Sequence, residues 1–322
     1  MQVILRKVGY SARGRVGYTI RRSHSISTIL ETPIEKMVFN FTAPRIKENV
    51  LLHSKLGGSP VFCIVHYNAP DFLLLNVNQI ECLYPDSKIY VLDNGSQQAN
   101  TNAVKKGLKR FNNITLFAAP NWAARIGVGR LLYSHTKGLQ FLLNYAAEQR
   151  DEIAVFLDQD CILSNNIDDL FAKLGRNVIL IGTRYGRTDN LVHASFMILQ
   201  PKRINQLFGN FSFFHERTAS PHKTGHQFLE PYHGLSVKAE GKLLFLEFKP
   251  YDEIPWIASY SYQGKTYAWH AGASSVTAGN SAKDSLDGRS DPFYGIARNL
   301  AFEHMKRIHE ETINRRLTTG NG

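Results

Sequence analysis

The sequence predicts an α/β fold, a single large domain with a mostly parallel central sheet flanked by helices. From about residue 60 onward, short apolar runs rich in β-branched and aromatic residues alternate with longer stretches of helical periodicity. Strands that alternate with helices at this spacing favour parallel pairing through right-handed crossovers. With 322 residues, of which 43% are hydrophobic and 20% charged, the chain can bury a sizeable core.

The predicted elements follow one another along the chain. An apolar run at residues 61–65 predicts the first strand, and the next helix is opened by Pro70 and stopped by Pro85. Strands at 88–92 and 114–117 and a helix at about 129–149 come before the apolar run at 154–157. The remaining predicted elements are strands at 177–182, 194–199 and 241–246 and a helix around 295–315.

Two carboxylates, Asp158 and Asp160, follow the apolar run at 154–157. If the chain stays extended there, side chains two residues apart point to the same side. The ligand crevice of an open α/β sheet lies at this end of its strands. Two oxygen ligands suit Mn²⁺ or Mg²⁺, particularly when a substrate diphosphate supplies more. The alternative is a solvated turn, because Asp-x-Asp is a common tripeptide.

The net charge of +11, from 38 basic and 27 acidic residues, indicates a negatively charged partner or substrate. Nucleic acid, an anionic membrane surface and a nucleotide diphosphate all qualify. Residues 1–30 hold six basic residues and no acidic one. We interpret 1–58 as a disordered or loosely packed extension, with a transit-like peptide or a true start at Met37 as alternatives. The predicted domain spans 59–280, and a helical tail spans 281–322.

The cysteines and the hydropathy exclude several classes of protein. Cys63, Cys82 and Cys161 are too few and too scattered for a disulfide framework or a zinc site. No apolar run approaches the length of a membrane span. We therefore expect a cytoplasmic protein, with the basic N-terminus as a candidate for peripheral membrane contact.

The order of the motifs resembles that of GT-A nucleotide-sugar glycosyltransferases, most closely the family 2-like members. The matching segments are His-Tyr-Asn at 66–68 after the first strand, Tyr-Pro-Asp-Ser-Lys-Ile-Tyr-Val-Leu-Asp-Asn-Gly-Ser at 84–96, His-x-x-Gly-Leu at 135–139 and Phe-Leu-Asp-Gln-Asp at 156–160. The resemblance covers roughly residues 60 to 275. It implies a GT-A (Rossmann-like) fold and metal-dependent transfer of a sugar, with inversion. The donor would be a nucleotide-diphosphate sugar, a UDP-sugar by default, and the acceptor a glycan or another hydroxyl compound.

The resemblance also implies a donor site. His66, Tyr67 and Asn68 would hold the nucleobase, and Asp93 would accept a hydrogen bond from the base or ribose. The sequence from Asp93 to Ser96 is equally typical of a tight turn, and both interpretations can hold.

Three basic side chains near the predicted donor site have competing interpretations. Arg125 and Arg130 lie where the diphosphate would be met, but they are equally well interpreted as surface arginines. His135 falls on the apolar stripe of its helix, so we interpret it as a core residue.

A late segment, Tyr-Ala-Trp-His-Ala-Gly at 267–272, resembles the His-x-Gly segment of GT-A enzymes. There the histidine returns to the metal or the diphosphate. Imidazole is an acceptable ligand of Mn²⁺, so His270 is the predicted third ligand beside Asp158 and Asp160.

Glu230 is the first candidate for the catalytic base, because it precedes a short helical stretch, Gly241 and a strand. The sequence departs from the family pattern at Pro231, where a second acid is usual. An alternative alignment places the base near residues 221–225, which contain no acid, and Asp252 and Glu247 are further candidates. A base must lie within hydrogen-bond reach of the acceptor hydroxyl.

Two other functions fit parts of the sequence. A sugar nucleotidyltransferase could share the scaffold, but no Gly-rich, Lys-containing phosphate loop occurs near the start of the domain. A non-catalytic protein could use the basic segment to bind nucleic acid or an anionic membrane. That hypothesis leaves the ordered motifs unexplained, and for the glycosyltransferase we expect no nucleic-acid partner.

Overall fold

The computed structural model describes residues 59–119, 130–175, 177–184, 192–208, 243–254, 257–271 and 292–318. The helices are α1 (Pro70–Leu83), α2 (Gln98–Leu108), α3 (Arg130–Glu148), α4 (Asp168–Phe171), α5 (Pro201–Phe208) and α6 (Pro292–Thr318). The strands are β1 (Val61–His66), β2 (Lys88–Asp93), β3 (Ile114–Ala118), β4 (Ala154–Asp158), β5 (Cys161–Leu163), β6 (Leu180–Arg184), β7 (Val192–Leu199), β8 (Leu243–Pro250), β9 (Ala258–Tyr262) and β10 (Lys265–His270).

The strands of the described residues form one sheet in the order β3-β2-β1-β4-β7-β6-β8-β9-β10-β5. The half that contains β3, β2, β1 and β4 is parallel. Strand β7 runs antiparallel between β4 and β6, and β8 lies parallel to β6. Beyond β8, the strands β9, β10 and β5 pair antiparallel. The predicted α/β class is confirmed, with a mixed sheet.

Helices cover both faces of the parallel half. On β1, Phe62 and Ile64 pack into the core beneath α1 and α2, whereas Cys63 and Val65 pack into the core beneath α3. The same alternation continues on β2 and β4. Strands buried on both faces need continuous apolar runs, which explains why 61–65 and 154–157 lack polar residues.

A glycine brings α3 close to the parallel strands. A Cβ atom added at Gly138 would lie 2.8 Å and 2.9 Å from the two Cγ atoms of Val65 and 3.1 Å from a Cδ atom of Leu92. All three atoms belong to buried side chains of the sheet. The glycine of the His-x-x-Gly-Leu segment therefore has a packing role, since any larger residue would push the helix outward.

The last helix, α6, packs against α1. Arg298 on α6 donates to both carboxylate oxygens of Asp71 on α1, at 2.6 Å and 2.5 Å. Ala301, Met305 and Ile308 of α6 belong to a third apolar cluster, with Phe72 of α1. Among the described helices, none combines the length and the hydropathy that a membrane span requires. The division of the chain into 1–58, 59–280 and 281–322 stays a prediction, and 1–58 lies outside the described residues.

Candidate metal and donor site

The two acids of the predicted metal site lie at the end of strand β4 and in the tight turn that follows it. Strand β4 ends at Asp158, residues 159 and 160 form the turn, and β5 begins at Cys161. The chain therefore stops being extended after Asp158, and the turn rather than a continuous strand brings the two carboxylates together. The Nδ2 atom of Asn76 on α1 donates to the Asp158 carbonyl at 3.1 Å and tethers the end of β4.

Strand pairing brings His270 to the acids. Strand β10 runs antiparallel to β5, with His270 opposite Cys161, the residue that follows Asp160. Beyond the strand, the backbone N–H of Ala271 donates to the Asp160 carbonyl at 3.0 Å. The third residue of the predicted site thus reaches the other two through the register of β5 and β10.

Asp158, Asp160 and His270 form a cluster with the geometry of a metal site. The Nε2 atom of His270 lies 3.4 Å from an oxygen of Asp158 and 3.4 Å from an oxygen of Asp160, and one ligand atom from each residue lies within 4.8 Å of the others. Neighbouring corners of an octahedron with bonds of about 2.1 Å are roughly 3.0 Å apart. Two carboxylates and an imidazole at this spacing could hold a divalent cation after a small contraction.

The cluster is electrostatically poised to accept a cation. Burial lowers the pKa of His270, but the carboxylates of Asp160 and Asp158 raise it more, to about 10. Without a metal, the imidazole is therefore protonated at neutral pH and offsets part of the charge of the two acids. A metal ion bound at Nε2 must displace that proton.

The loop after β1 is fastened to the turn that carries the acids. The side chain of Gln159 accepts from the backbone N–H of Tyr67 at 2.8 Å and donates to the Tyr67 carbonyl at 3.2 Å. Gln159 is buried although it is polar. This paired contact fixes the position of Tyr67 relative to Asp158 and Asp160, so the predicted donor loop and the metal cluster form one unit.

Asn68 connects the loop after β1 to the loop after β2. Its backbone has a φ angle of 52°, a left-handed conformation that asparagine tolerates better than most residues. Its Oδ1 atom accepts from the backbone N–H of Gln97 at 2.7 Å and from the side chain of Asn100 at 3.1 Å. Its own backbone N–H donates to Ser96 Oγ at 2.9 Å. Asn68 therefore has a structural role beside the predicted role at the nucleobase.

Asp93 also organises this edge of the sheet. It ends β2, directly opposite His66 at the end of β1. One of its carboxylate oxygens accepts from the backbone N–H of Ser96 at 3.2 Å, and the other accepts from the hydroxyl of Thr101 at 2.6 Å. The chain bends at Gly95 after Asp93, where the φ angle is 79°, and the Asp93 carboxylate bonds to the backbone N–H three residues on. Each oxygen keeps a second lone pair for a ligand.

His66 is buried, and both of its ring nitrogens could still form hydrogen bonds with a ligand. Neither ring nitrogen meets the distance and angle of a hydrogen bond with the described residues, although the Gln159 side chain, which bonds the Tyr67 backbone, lies close to the ring. Burial lowers the pKa of His66, and the carboxylate of Asp93 offsets only part of this. A neutral imidazole offers one donor and one acceptor. Buried polar groups rarely lack a hydrogen-bond partner, so a ligand here would supply the partner that the His66 ring nitrogens lack.

The remaining predicted site residues are either outside the described residues or outside the metal cluster. Arg130 is the first residue of α3, and its side chain, like the whole of Glu230 and Arg125, lies outside the described residues. Asp252 is exposed in the segment after β8 and is not a member of the metal cluster. Glu247 is exposed on β8, where it pairs with Lys249 at 3.2 Å.

Sequence reasoning missed the polar residues that support the cluster. Gln159 could have been noticed, because it stands between the two acids. Tyr260 on β9 and Ser195 on β7 gave no signal, since a tyrosine or serine in a strand is ordinary. Tyr260 is nevertheless hydrogen-bonded to His270.

No protein-family model and no curated protein matches the chain. Among solved structures, it is similar to the galactosyltransferase LgtC in complex with donor and acceptor sugar analogs, at 14% identity and a TM-score of 0.43, over 57% of this chain and 72% of that one. Mouse xyloside xylosyltransferase 1 matches at 12% identity and a TM-score of 0.41, over 58% and 85%. The mannosyltransferase PcManGT from Pyrobaculum calidifontis, in complex with GDP-Man and Mn²⁺, matches at 13% identity and a TM-score of 0.42, over 94% and 86%.

At these identities the likenesses concern the fold alone. The α/β fold of the described residues rests on their own strand order and on the helices that cover both faces of the parallel half.

Proposed function

We propose that the protein is a metal-dependent glycosyltransferase that moves a sugar from a nucleotide-diphosphate donor to an acceptor hydroxyl with inversion. The observation that carries the proposal is the cluster of Asp158, Asp160 and His270 at the edge of the sheet where β1, β2 and β4 end. Ligand crevices of open α/β sheets lie at this edge. The cation site is hydrogen-bonded to the loop after β1, which contacts the loop after β2. Both loops carry polar groups that could bind a ligand. This combination suits a nucleotide diphosphate.

Different residues of this chain would bind the metal ion and the diphosphate of the donor. Asp158, Asp160 and His270 would hold Mn²⁺ or Mg²⁺. When bound, the cation supplies Lewis acidity that offsets the charge of the leaving nucleotide diphosphate. Arg130 begins α3, and a helix N-terminus favours negative charge, which supports a place for the diphosphate there.

The nucleotide would lie over the loops after β1 and β2. His66, with its unpartnered ring nitrogens, and Asp93, with its remaining lone pairs, would bind the base and ribose. Tyr67 and Asn68 would complete the nucleobase pocket, held in place by Gln159 and the loop after β2. A UDP-sugar is the default donor.

A carboxylate would deprotonate the acceptor, a glycan or another compound with a free hydroxyl, as it attacks the anomeric carbon. Direct displacement inverts the configuration at that carbon. Glu230 is the first candidate for this base and Asp252 the second; the exposure of Asp252 supports access to a bulky acceptor. The basic segment within residues 1–58 would add peripheral contact with an anionic membrane surface and keep the enzyme at the cytoplasmic face. No nucleic-acid partner is part of the proposal.

A thermal-shift screen of nucleotide diphosphates and nucleotide-sugars, each with Mn²⁺, Mg²⁺ or chelator, tests the donor site. A ligand that binds only the folded state raises the apparent melting temperature. We expect a metal-dependent shift with one nucleotide in the wild type and no shift in the Asp158→Ala/Asp160→Ala variant. No shift with any nucleotide in either metal would contradict the proposal.

A transfer assay then tests the reaction. We expect Asp160→Ala to abolish transfer while the protein stays folded. The matched control is Asp169→Ala, which removes a nearby carboxylate that pairs with Lys265 and lies outside the metal cluster. Full metal-dependent activity of Asp160→Ala would refute the metal assignment. Release of pyrophosphate instead of a nucleoside diphosphate would identify a nucleotidyltransferase.

A further inference from the structure

A chain of hydrogen bonds leads away from the ring nitrogen of His270 that does not face the carboxylates. Its Nδ1 atom lies 3.0 Å from the hydroxyl of Tyr260. That hydroxyl lies 2.5 Å from the Oγ atom of Ser195, which lies 2.7 Å from Nδ1 of His193. The residues come from β10, β9 and β7, and both hydroxyl-bearing side chains are fully buried.

The direction of every hydrogen bond follows from one backbone group. The backbone N–H of Ser195 donates to Nδ1 of His193 at 3.2 Å. A backbone N–H can only donate, so Nδ1 of His193 carries no proton and accepts. The hydroxyl of Ser195 must then donate its single hydrogen to the same nitrogen.

The remaining two bonds are determined in turn. Because the hydrogen of Ser195 points to His193, its oxygen accepts from the hydroxyl of Tyr260. The hydroxyl hydrogen of Tyr260 is then used in the bond to Ser195, so the Tyr260 oxygen accepts a hydrogen bond from His270. The ring nitrogen of His270 in this bond must be an N–H donor. Nδ1 therefore keeps its proton when Nε2, which faces Asp158 and Asp160, gives up its own to a cation.

We propose that Tyr260, Ser195 and His193 are positioning residues that hold the proton of His270 on Nδ1 and so present the Nε2 lone pair to a divalent cation. An imidazole can bind a metal only through an unprotonated nitrogen, and the partner of the other nitrogen selects the tautomer. The inference rests on the metal site of the proposed function.

The chain also explains why its polar groups are buried. Each hydroxyl of Tyr260 and Ser195 both donates and accepts, and buried polar groups are stable only when they are paired in this way. The ring of Tyr260 packs against Phe196 and Phe248, with ring centroids 6.1 Å away in both cases. This packing fixes the position of the hydroxyl that meets His270.

Calorimetric measurement of Mn²⁺ binding to the full chain tests the inference. We expect Tyr260→Phe, which keeps the ring, to weaken Mn²⁺ binding by about 10–100-fold, the usual effect of losing such a partner. Ser195→Ala should weaken it too, because the freed hydroxyl of Tyr260 can turn its hydrogen to Nδ1 of His270 and drive the proton to Nε2. The matched control is Tyr267→Phe on β10, which loses a hydroxyl bonded to Asp169 instead and should leave the affinity unchanged.

A pair of variants at His193 separates the proton direction from simple packing. Asparagine offers an acceptor oxygen close to the position of Nδ1, so His193→Asn should keep most of the Mn²⁺ affinity. His193→Ala removes the acceptor and should lose it as Ser195→Ala does. Equal affinities for these two variants would overturn the assigned direction.

The possible outcomes distinguish a failure of the inference about His270 from a failure of the proposed metal site. A wild type that binds Mn²⁺, with a folded Tyr260→Phe that binds equally well, overturns the inference and leaves the metal site standing. A wild type that binds neither Mn²⁺ nor Mg²⁺ overturns both. Weaker binding in Tyr260→Phe and Ser195→Ala, with Tyr267→Phe unchanged, supports both.

Discussion

Metal binding should release a proton from His270, and its strength should therefore depend steeply on pH. The imidazole lies 3.4 Å from each of two carboxylates, and its pKa is about 10 in the metal-free protein. A cation that takes Nε2 as a ligand competes with the proton held there. The apparent affinity for Mn²⁺ should rise as the pH rises.

The size of the effect follows from the pKa of His270. Each pH unit by which the solution lies below that pKa lowers the deprotonated fraction of His270 tenfold. At pH 7, some three units below about 10, the apparent affinity should be weakened by about 1,000-fold relative to the deprotonated ring. Between about pH 6.5 and 8.5 the affinity should therefore rise by about 100-fold, with the release of about one proton per cation.

The stability of the metal-free protein should change in the opposite direction. The pKa of His270 is raised above its ordinary value of 6.5. Its protonation therefore stabilises the folded state fully below about pH 6.5, and this contribution is lost as the pH rises towards about 10. Alkaline conditions should strengthen metal binding while they weaken the metal-free fold.

Isothermal titration of Mn²⁺ in buffers of different ionisation enthalpy measures both the affinity and the proton count. His270→Ala should bind weakly, with neither proton release nor a comparable pH slope. The control His309→Gln changes a histidine bonded to Gln79, away from the cluster, and should keep the wild-type slope. A flat pH dependence in the wild type, or proton release that survives in His270→Ala, would refute the reasoning.

Three further predictions test the scaffold around the site. Gly138→Ala should lower the free energy of unfolding by about 1–3 kcal/mol, because the added methyl group must displace Val65; urea denaturation measures this. Gln159→Ala should weaken nucleotide binding more than Mn²⁺ binding, since it releases the backbone of Tyr67; fluorescence titration of each ligand would show equal losses if this is wrong. Arg298→Ala should cost only about 0.5–1 kcal/mol in the same denaturation experiment, because its ion pair is partly exposed to solvent.

The parallel half of the sheet could be predicted from the sequence because its information is local. Burial on both faces requires unbroken apolar runs, and such runs identify β1, β2, β3 and β4 directly. Strands β5 and β9 carried no comparable signal. Strand β5 has three residues, and β9, Ala258–Tyr262, alternates small and aromatic residues that also occur in loops. Helix α2 buries only Val104 and Leu108, too little for a clear periodicity.

In the candidate site too, residues marked by a local sequence pattern could be predicted and residues brought together by non-local packing could not. Asp158 and Asp160 are only two residues apart in the sequence, so their spacing alone could predict a shared ligand. His270 could be placed beside them only by resemblance, because its position depends on the pairing of β5 with β10. A shift of that pairing by one residue would turn its side chain to the other face of the sheet. Tyr260 and Ser195 depend on the same non-local packing, so no local pattern could reveal them.

The structure also explains why the loop after β1 and the cluster of Asp158, Asp160 and His270 should respond together. Gln159 belongs to the turn between Asp158 and Asp160, yet both of its polar atoms bond the backbone of Tyr67 in the loop after β1. A cation that draws the two carboxylates closer must move this turn, and the paired hydrogen bonds transmit the movement to Tyr67. A nucleotide that holds Tyr67 would in turn restrict the acids. Binding of the metal and of the nucleotide should therefore be cooperative, by reciprocal linkage between the two sites.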